Sequence, residues 1–205
     1  MPTLIPMAPV ARAGLEKRAG AARRRRWARL WIVLAIAGAM AQPKPSEYDV
    51  KAAYLFNFGK FMRLSGAAGG PRHANFEICI LGRDPIGHVI DDITANENID
   101  NRAVRVVRVT DAYAAARECD VAFISPEEGE GIQADLTALG KSDVLTVSDA
   151  PEFLKAGGMI QFVTQGNHVR FAVNLDAVGR THLVLSSELL RVALTVTGKP
   201  AEGQP

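Results

Sequence analysis

Two cysteines, four histidines and a scatter of serines and acidic residues are the groups of this 205-residue chain that could do chemistry. His73, His88, His168 and His182 lie far apart without ligand spacing, and neither Cys79 nor Cys119 has a C-x-x-C neighbour, so no metal site is expected. Ser125, Ser148, Ser186 and Ser187 lack the G-x-S-x-G elbow that presents a nucleophile, and they read as caps and turns. Glu127, Glu128 and Glu130 read as first-turn charges that complement a helix dipole rather than as paired catalytic carboxylates. Gly82-Arg83-Asp84-Pro85-Ile86-Gly87 stands where a strand passes into a helix, a place that often holds phosphate. It has neither phosphate-loop spacing, and a carboxylate there repels an anion. Asp84 as N-cap and Pro85 in the first turn account for it. A non-enzymatic protein without a cofactor is the expectation.

What the cysteines do depends on the compartment. Residues 1–41 hold eight of the 24 Lys and Arg and a single acid, Glu16, which leaves 16 basic against 21 acidic residues in the remainder. The basic excess is confined to the leader, so the electrostatic argument for a nucleic-acid partner falls away. That leader has Arg23, Arg24, Arg25 and Arg26 with Arg29, then the uncharged stretch 30–41, ending in the small-x-small site Ala39-Met40-Ala41. These are the three parts of a secretory signal peptide. The 12 uncharged residues fall short of the ~20 that span a bilayer core. Cleavage near Ala41-Gln42 and a periplasmic mature protein are expected. In an oxidising compartment Cys79 and Cys119 are a disulfide candidate, and two buried free thiols are the other reading.

The elements that must position these groups follow from periodicity. At 48% hydrophobic and 22% charged, the chain has a globular composition. One domain is expected over 42–197, with a disordered tail over 198–205. Ser46 can cap a helix reaching about Leu64, with Val50, Ala53, Tyr54, Asn57, Phe58 and Phe61 on one face and Leu55, Phe56 and Met62 widening it. Residues 65–74 are a glycine-rich loop. Strands are expected at 76–81, 104–109, 121–125 and 144–147. Between them run helices starting at Asp84, at Thr110 and, through a capping-box spacing of Ser125 with Glu128, at Ser125. A β-hairpin follows over 159–164 and 169–175, then a last helix carrying Leu185, Leu189 and Val192. This alternation predicts an α/β fold of three layers: a mainly parallel sheet flanked by helices, with a C-terminal β-hairpin and closing helix. A strand order beginning 2-1-3 would make the strand of Cys79 a neighbour of the one that Cys119 precedes.

Several segments together resemble the YfiR family of small periplasmic proteins. They are Lys51-Ala52-Ala53-Tyr54-Leu55-Phe56-Asn57-Phe58-Gly59-Lys60-Phe61, Ile78-Cys79-Ile80-Leu81-Gly82-Arg83-Asp84-Pro85 and Cys119-Asp120-Val121-Ala122-Phe123-Ile124-Ser125. Further on come Leu145-Thr146-Val147-Ser148-Asp149, Gly157-Gly158-Met159-Ile160, Val169-Arg170-Phe171-Ala172-Val173-Asn174-Leu175 and Leu185-Ser186-Ser187-Glu188-Leu189-Leu190. The resemblance implies a regulator that binds the periplasmic sensory region of an inner-membrane diguanylate cyclase, or another sensor protein, and lowers cyclic di-GMP. It further implies relief by an outer-membrane lipoprotein, a homodimer, and a disulfide between Cys79 and Cys119. Relatives usually follow the first helix with a Trp-Pro pair, where this chain has Arg63-Leu64-Ser65, and some carry a second cysteine pair that is missing here. Tyr54, Phe58 and Phe61 are the candidate partner contacts, with plain core residues as the alternative. The runner-up function is a periplasmic small-ligand binding protein, or an accessory protein of an outer-membrane receptor or sensor kinase, using a cleft at the strand ends.

Overall fold

Ser46 and Asp49 start the first helix by capping one another: Ser46 Oγ accepts the Asp49 N–H at 3.1 Å, and Asp49 Oδ2 accepts the Ser46 N–H at 2.6 Å. The computed structural model describes residues 44–65, 72–125, 131–140 and 142–199, of which all but Lys44 belong to the compact unit Pro45–Pro205. The leader 1–41, the acidic residues Glu127, Glu128 and Glu130, most of the glycine-rich loop and residues 200–205 of the tail lie outside them.

Helix α1 (Glu47–Lys60) ends sooner than its periodicity predicts, because Met62–Leu64 leaves the helix as strand β1 and pairs antiparallel with Leu183–Leu185. The buried side of α1 is Lys51, Ala52, Leu55, Phe56, Phe58 and Gly59. It is shifted from the expected face, on which Asn57 is exposed and Ala53, Tyr54 and Phe61 are half-buried. The shift reflects close approach. A Cβ on Gly59 would come within 2.9 Å of Phe76 and Ile99, so this turn of the helix lies directly against its neighbours.

The chain continues through β2 (Phe76–Gly82), α2 (His88–Thr94), β3 (Asn98–Ile99), β4 (Arg102–Val109), α3 (Ala112–Glu118), β5 (Val121–Ser125), α4 (Ile132–Leu139) and β6 (Leu145–Ser148). The hairpin strands β7 (Ile160–Gln165) and β8 (His168–Asn174) follow, then a single helical turn α5 (Leu175–Val178), β9 (Leu183–Leu185), α6 (Ser187–Val192) and β10 (Thr195–Thr197). Eight strands form one sheet in the order β10-β8-β7-β6-β5-β2-β4-β3. The run from β4 to β7 is parallel, β7 and β8 are the expected hairpin, and β3 is antiparallel to β4. The order starts 2-1-3, since β2 lies between β4 and β5, so the strand of Cys79 neighbours the one that Cys119 precedes.

Alternation along β2 divides the core. Ile78 and Ile80 face one cluster with α1 and α2, while Cys79 and Leu81 face a second with α3 and α4. The two clusters are the interfaces of the three layers. Cys79 and Cys119 sit in the second, fully buried, with Cα atoms 5.8 Å apart, and form a disulfide. The free-thiol reading is thereby set aside.

Several element boundaries differ from the sequence reading. Gly87, with φ +61°, is the N-cap of α2, and Asp84 is not. The Asp84 carboxylate instead accepts the N–H groups of Ile86 and Gly87 and pairs with Arg108 of β4. Asp111, not Thr110, caps α3. Ser125 ends β5, and α4 starts after Gly131 without a side-chain cap. Leu185 belongs to β9, and the closing helix begins beyond it with Ser186 as its cap. The small strands β3 and β10 were not expected. β3 has a local signal in hindsight, because Asp100 and Asn101 both adopt positive φ in a two-residue hairpin turn.

Replacing both cysteines, Cys79→Ala with Cys119→Ala, removes a bridge spanning 40 residues and is expected to lower the unfolding free energy by about 4 kcal/mol in the chain-entropy account. Urea denaturation of oxidised, reduced and substituted protein measures this, and coincident midpoints would show that the bridge contributes nothing.

Candidate functional site

Tyr54 and Phe58 of α1, with Phe61 at its C-cap, line a groove of about 420 Å³ whose opposite side is Leu189 and Val192 of α6 and whose floor includes Phe171 of β8. Its two helical walls are joined where Phe61 O accepts the N–H of Ser186, the cap of α6, at 2.9 Å. Asn57, Glu188 and Arg191 supply the polar rim. The three candidate contacts do not share one role. Phe58 is fully buried, 5.0 Å from Phe171 edge to face and 5.7 Å from Phe162 in a stack, so it belongs to the core. Tyr54, 5.5 Å from Phe171, and Phe61 remain half-buried and open to the groove. Val192 is 54% exposed, and Leu194 and Val196 beyond it are also exposed. Sequence reasoning placed Leu189 and Val192 on a helix but had no signal that this helix faces α1.

An ion cluster sets the position of α1. Lys51, with a side chain only 4% exposed, reaches Asp149 Oδ2 at 2.7 Å and Glu47 Oε1 at 2.6 Å, and its ammonium lies 4.5 Å from the Tyr48 ring centre. Asp149 directly follows β6, at the carboxyl end of the parallel strands. Burial alone would pull the Lys51 ammonium down, but its hydrogen bonds to Asp149 and Glu47 outweigh this and hold its pKa above the ordinary lysine value. The Lys51 hydrogen bond, against a smaller opposing effect of burial, holds Glu47 below the ordinary glutamate value. Nothing in the sequence marked Lys51 as buried.

A second polar set holds the opposite end of the strands. Asp120, nearly fully buried, accepts from Arg102 at 3.1 Å and from the Glu77 N–H at 2.9 Å. Arg72 donates to the carbonyls of Cys119 and Asp143, tying the disulfide segment to the chain entering β6. Among the serines considered for catalysis, Ser148 donates to Ile124 O at 2.7 Å and Ser186 accepts from Leu189 N–H at 3.2 Å, so these hydroxyls are engaged in holding the fold. Among the described residues no group of three or more His, Cys, Asp or Glu could hold a metal ion.

Phe58→Ala is expected to cost about 3–5 kcal/mol, as for other buried aromatics, while Phe61→Ala costs well under half of that. Chemical denaturation of the two variants separates the core role from the surface one. Lys51→Met leaves Asp149 without its cation and is expected to cost about 2 kcal/mol at neutral pH. The pH dependence has a definite sign. Glu47, with a lowered pKa, contributes fully above pH 4.5, and its contribution is lost as pH falls through the lowered value. Lys51, with a raised pKa, contributes below pH 10.5, and its contribution is lost as pH rises through the raised value. Melting temperature against pH is therefore expected to fall below pH 4.5 in the wild type. That fall is expected to be shallower in Lys51→Met, and an unchanged slope would remove the cluster from the account.

No curated protein matches the chain in sequence. A family model matches residues 48–194, a span that takes in the groove, the Lys51–Asp149 pair and the disulfide. By that match the chain belongs to the YfiR/HmsC-like family, whose members are periplasmic regulators of cyclic di-GMP signalling.

Proposed function

We propose that this chain is exported, loses residues 1–41, and represses an inner-membrane diguanylate cyclase by binding its periplasmic sensory region, thereby lowering cyclic di-GMP. The observation that carries the reading is the α1–α6 groove. Half-buried Tyr54 and Phe61 face exposed Val192 across it, within the span matched to the family. An exposed apolar strip beside a formed groove is what a binding surface requires. Its walls are held by the ion cluster and by the Ser186 to Phe61 hydrogen bond, so little ordering is lost on binding. Repression then follows from differential affinity: the bound protein favours whichever sensor conformation it contacts better, and shifts that equilibrium by no more than the difference. An outer-membrane lipoprotein that takes up the same protein would relieve repression by competition. The buried disulfide fits an oxidising compartment.

The groove's size favours one other reading, a small apolar ligand held between α1 and α6, because about 420 Å³ lies in the range of ligand sites. Deleting the gene is expected to raise cellular cyclic di-GMP. Full-length protein should restore the level, and protein lacking residues 1–41 should not. Unchanged cyclic di-GMP in the deletion strain, measured by mass spectrometry of nucleotide extracts, would overturn the repressor reading and leave the ligand reading.

A further inference from the structure

A second cavity, of about 150 Å³, lies where β6 and β7 begin and shares no lining residue with the groove. Helix α4 forms one wall with Gln133, Leu136 and Thr137, while Ala156, Gly157 and Arg180 form another. The apolar part is Leu139, Val144, Met159 and Ala177, all buried. Interiors rarely keep a void larger than a water, so this one needs a cause. Two glycines supply it. Gly140, at φ +54°, and Gly157, at φ +101°, both line the cavity, and a Cβ on Gly157 would come within 3.3 Å of Arg180 Nη2. The lining carries one charge. Arg180 is an exposed residue that donates to Gly157 O at 3.2 Å, with no ion-pair partner among the described residues, and neither Asp nor Glu lines the cavity. Ser142, also in the lining, has its hydroxyl oxygen shut off from solvent and without a hydrogen-bond partner among the described residues. Thr146 Oγ1 accepts the Met159 N–H at 3.1 Å, which leaves its own proton to donate.

We propose that this cavity binds a short-chain monocarboxylate, with the carboxylate on Arg180 and the alkyl chain over Leu139, Val144, Met159 and Ala177. Charge selects the head group. Arg180 repels a cation, a neutral ligand leaves the guanidinium unpaired, and a dicarboxylate finds no second cation in the described lining. The carbonyl end of α4 carries partial negative charge, so the carboxylate lies at the Arg180 wall and not at the helix. A carboxylate oxygen also gives the Ser142 hydroxyl an acceptor, and an unmade hydrogen bond on a buried hydroxyl is costly to keep. Volume selects the chain length. At the ~30 Å³ that a water occupies, about five heavy atoms fit, which describes propionate or butyrate. The site stands apart from the repressor reading, because the groove is built from other residues.

The test uses the protein as its own cells make it, isotope-labelled and purified, and follows its amide resonances while sodium acetate, propionate, butyrate or hexanoate is added. Saturable shifts are expected at the Ser142 and Gly157 amides, with a Kd of about 1 mM for propionate or butyrate. Hexanoate overfills the cavity and is expected to bind about tenfold more weakly. Arg180→Gln is expected to weaken propionate about tenfold while the melting temperature holds. Propionamide, which has the same shape without the charge, is expected to give no saturable shift, and this comparison decides the matter if Arg180→Gln folds poorly. Any one of four results overturns the proposal: no saturation with any of the acids, the same shifts with sodium chloride, propionamide binding as well as propionate, or undiminished binding in folded Arg180→Gln.

Discussion

The seating of α1 on the sheet depends on one buried charge. Lys51 points inward from a helix whose other inward residues are apolar, and taking an ammonium out of water costs several kcal/mol unless it is paired. Asp149 and Glu47 offset that cost together, the first from the end of β6 and the second from one turn earlier on α1 itself. Because Asp149 is 98 residues away in sequence, the pair can form only when the parallel sheet is already in place. The charge thus sets where the first half of α1 lies, and the ring of Phe58, wedged between Phe162 and Phe171, sets the second half. These two contacts place the α1 side of the groove.

The disulfide does a different job on the other face. It joins the central strand β2 to the residue that enters β5, within the cluster formed with α3 and α4, and it touches none of the groove residues. Arg72 adds a polar tie from the Cys119 carbonyl to that of Asp143. The layer that keeps the sheet together is therefore separate from the layer that carries the groove.

The α/β class, the hairpin and the Ser46 cap were legible because each rests on local patterning: β-branched runs, helical spacing and a capping residue; the 2-1-3 strand start came instead from the order common to such folds. The misread boundaries share one physical cause, competition from distant partners. Met62-Arg63-Leu64 continues a helical pattern, yet it pairs with Leu183–Leu185 at the far end of the chain. Asp84 has every local feature of a helix cap, but its carboxylate is shared with Arg108 across the sheet edge. Of the candidate site, Tyr54 and Phe61 could be read from spacing. The difference between them and Phe58 could not, since it depends on Phe162 and Phe171. Lys51 was illegible for the same reason, because a lysine in an apolar helix ordinarily reaches solvent.

The absence of the Trp-Pro pair can now be weighed against the geometry. Arg63, Leu64 and Ser65, which stand in its place, are held in β1 by pairing with β9 and by Ser65 N–H donating to His182 O at 2.8 Å. The corner after α1 is therefore fixed by main-chain hydrogen bonds rather than by a bulky ring and a rigid φ. Those bonds are also what bring β9, and α6 after it, back to the end of α1, with Ser186 N–H meeting Phe61 O. A change of side chain at the corner leaves the α1–α6 arrangement intact as long as the main-chain pairing survives. The surface that this substitution alters is that of Arg63, Leu64 and Ser65, none of which lines the groove.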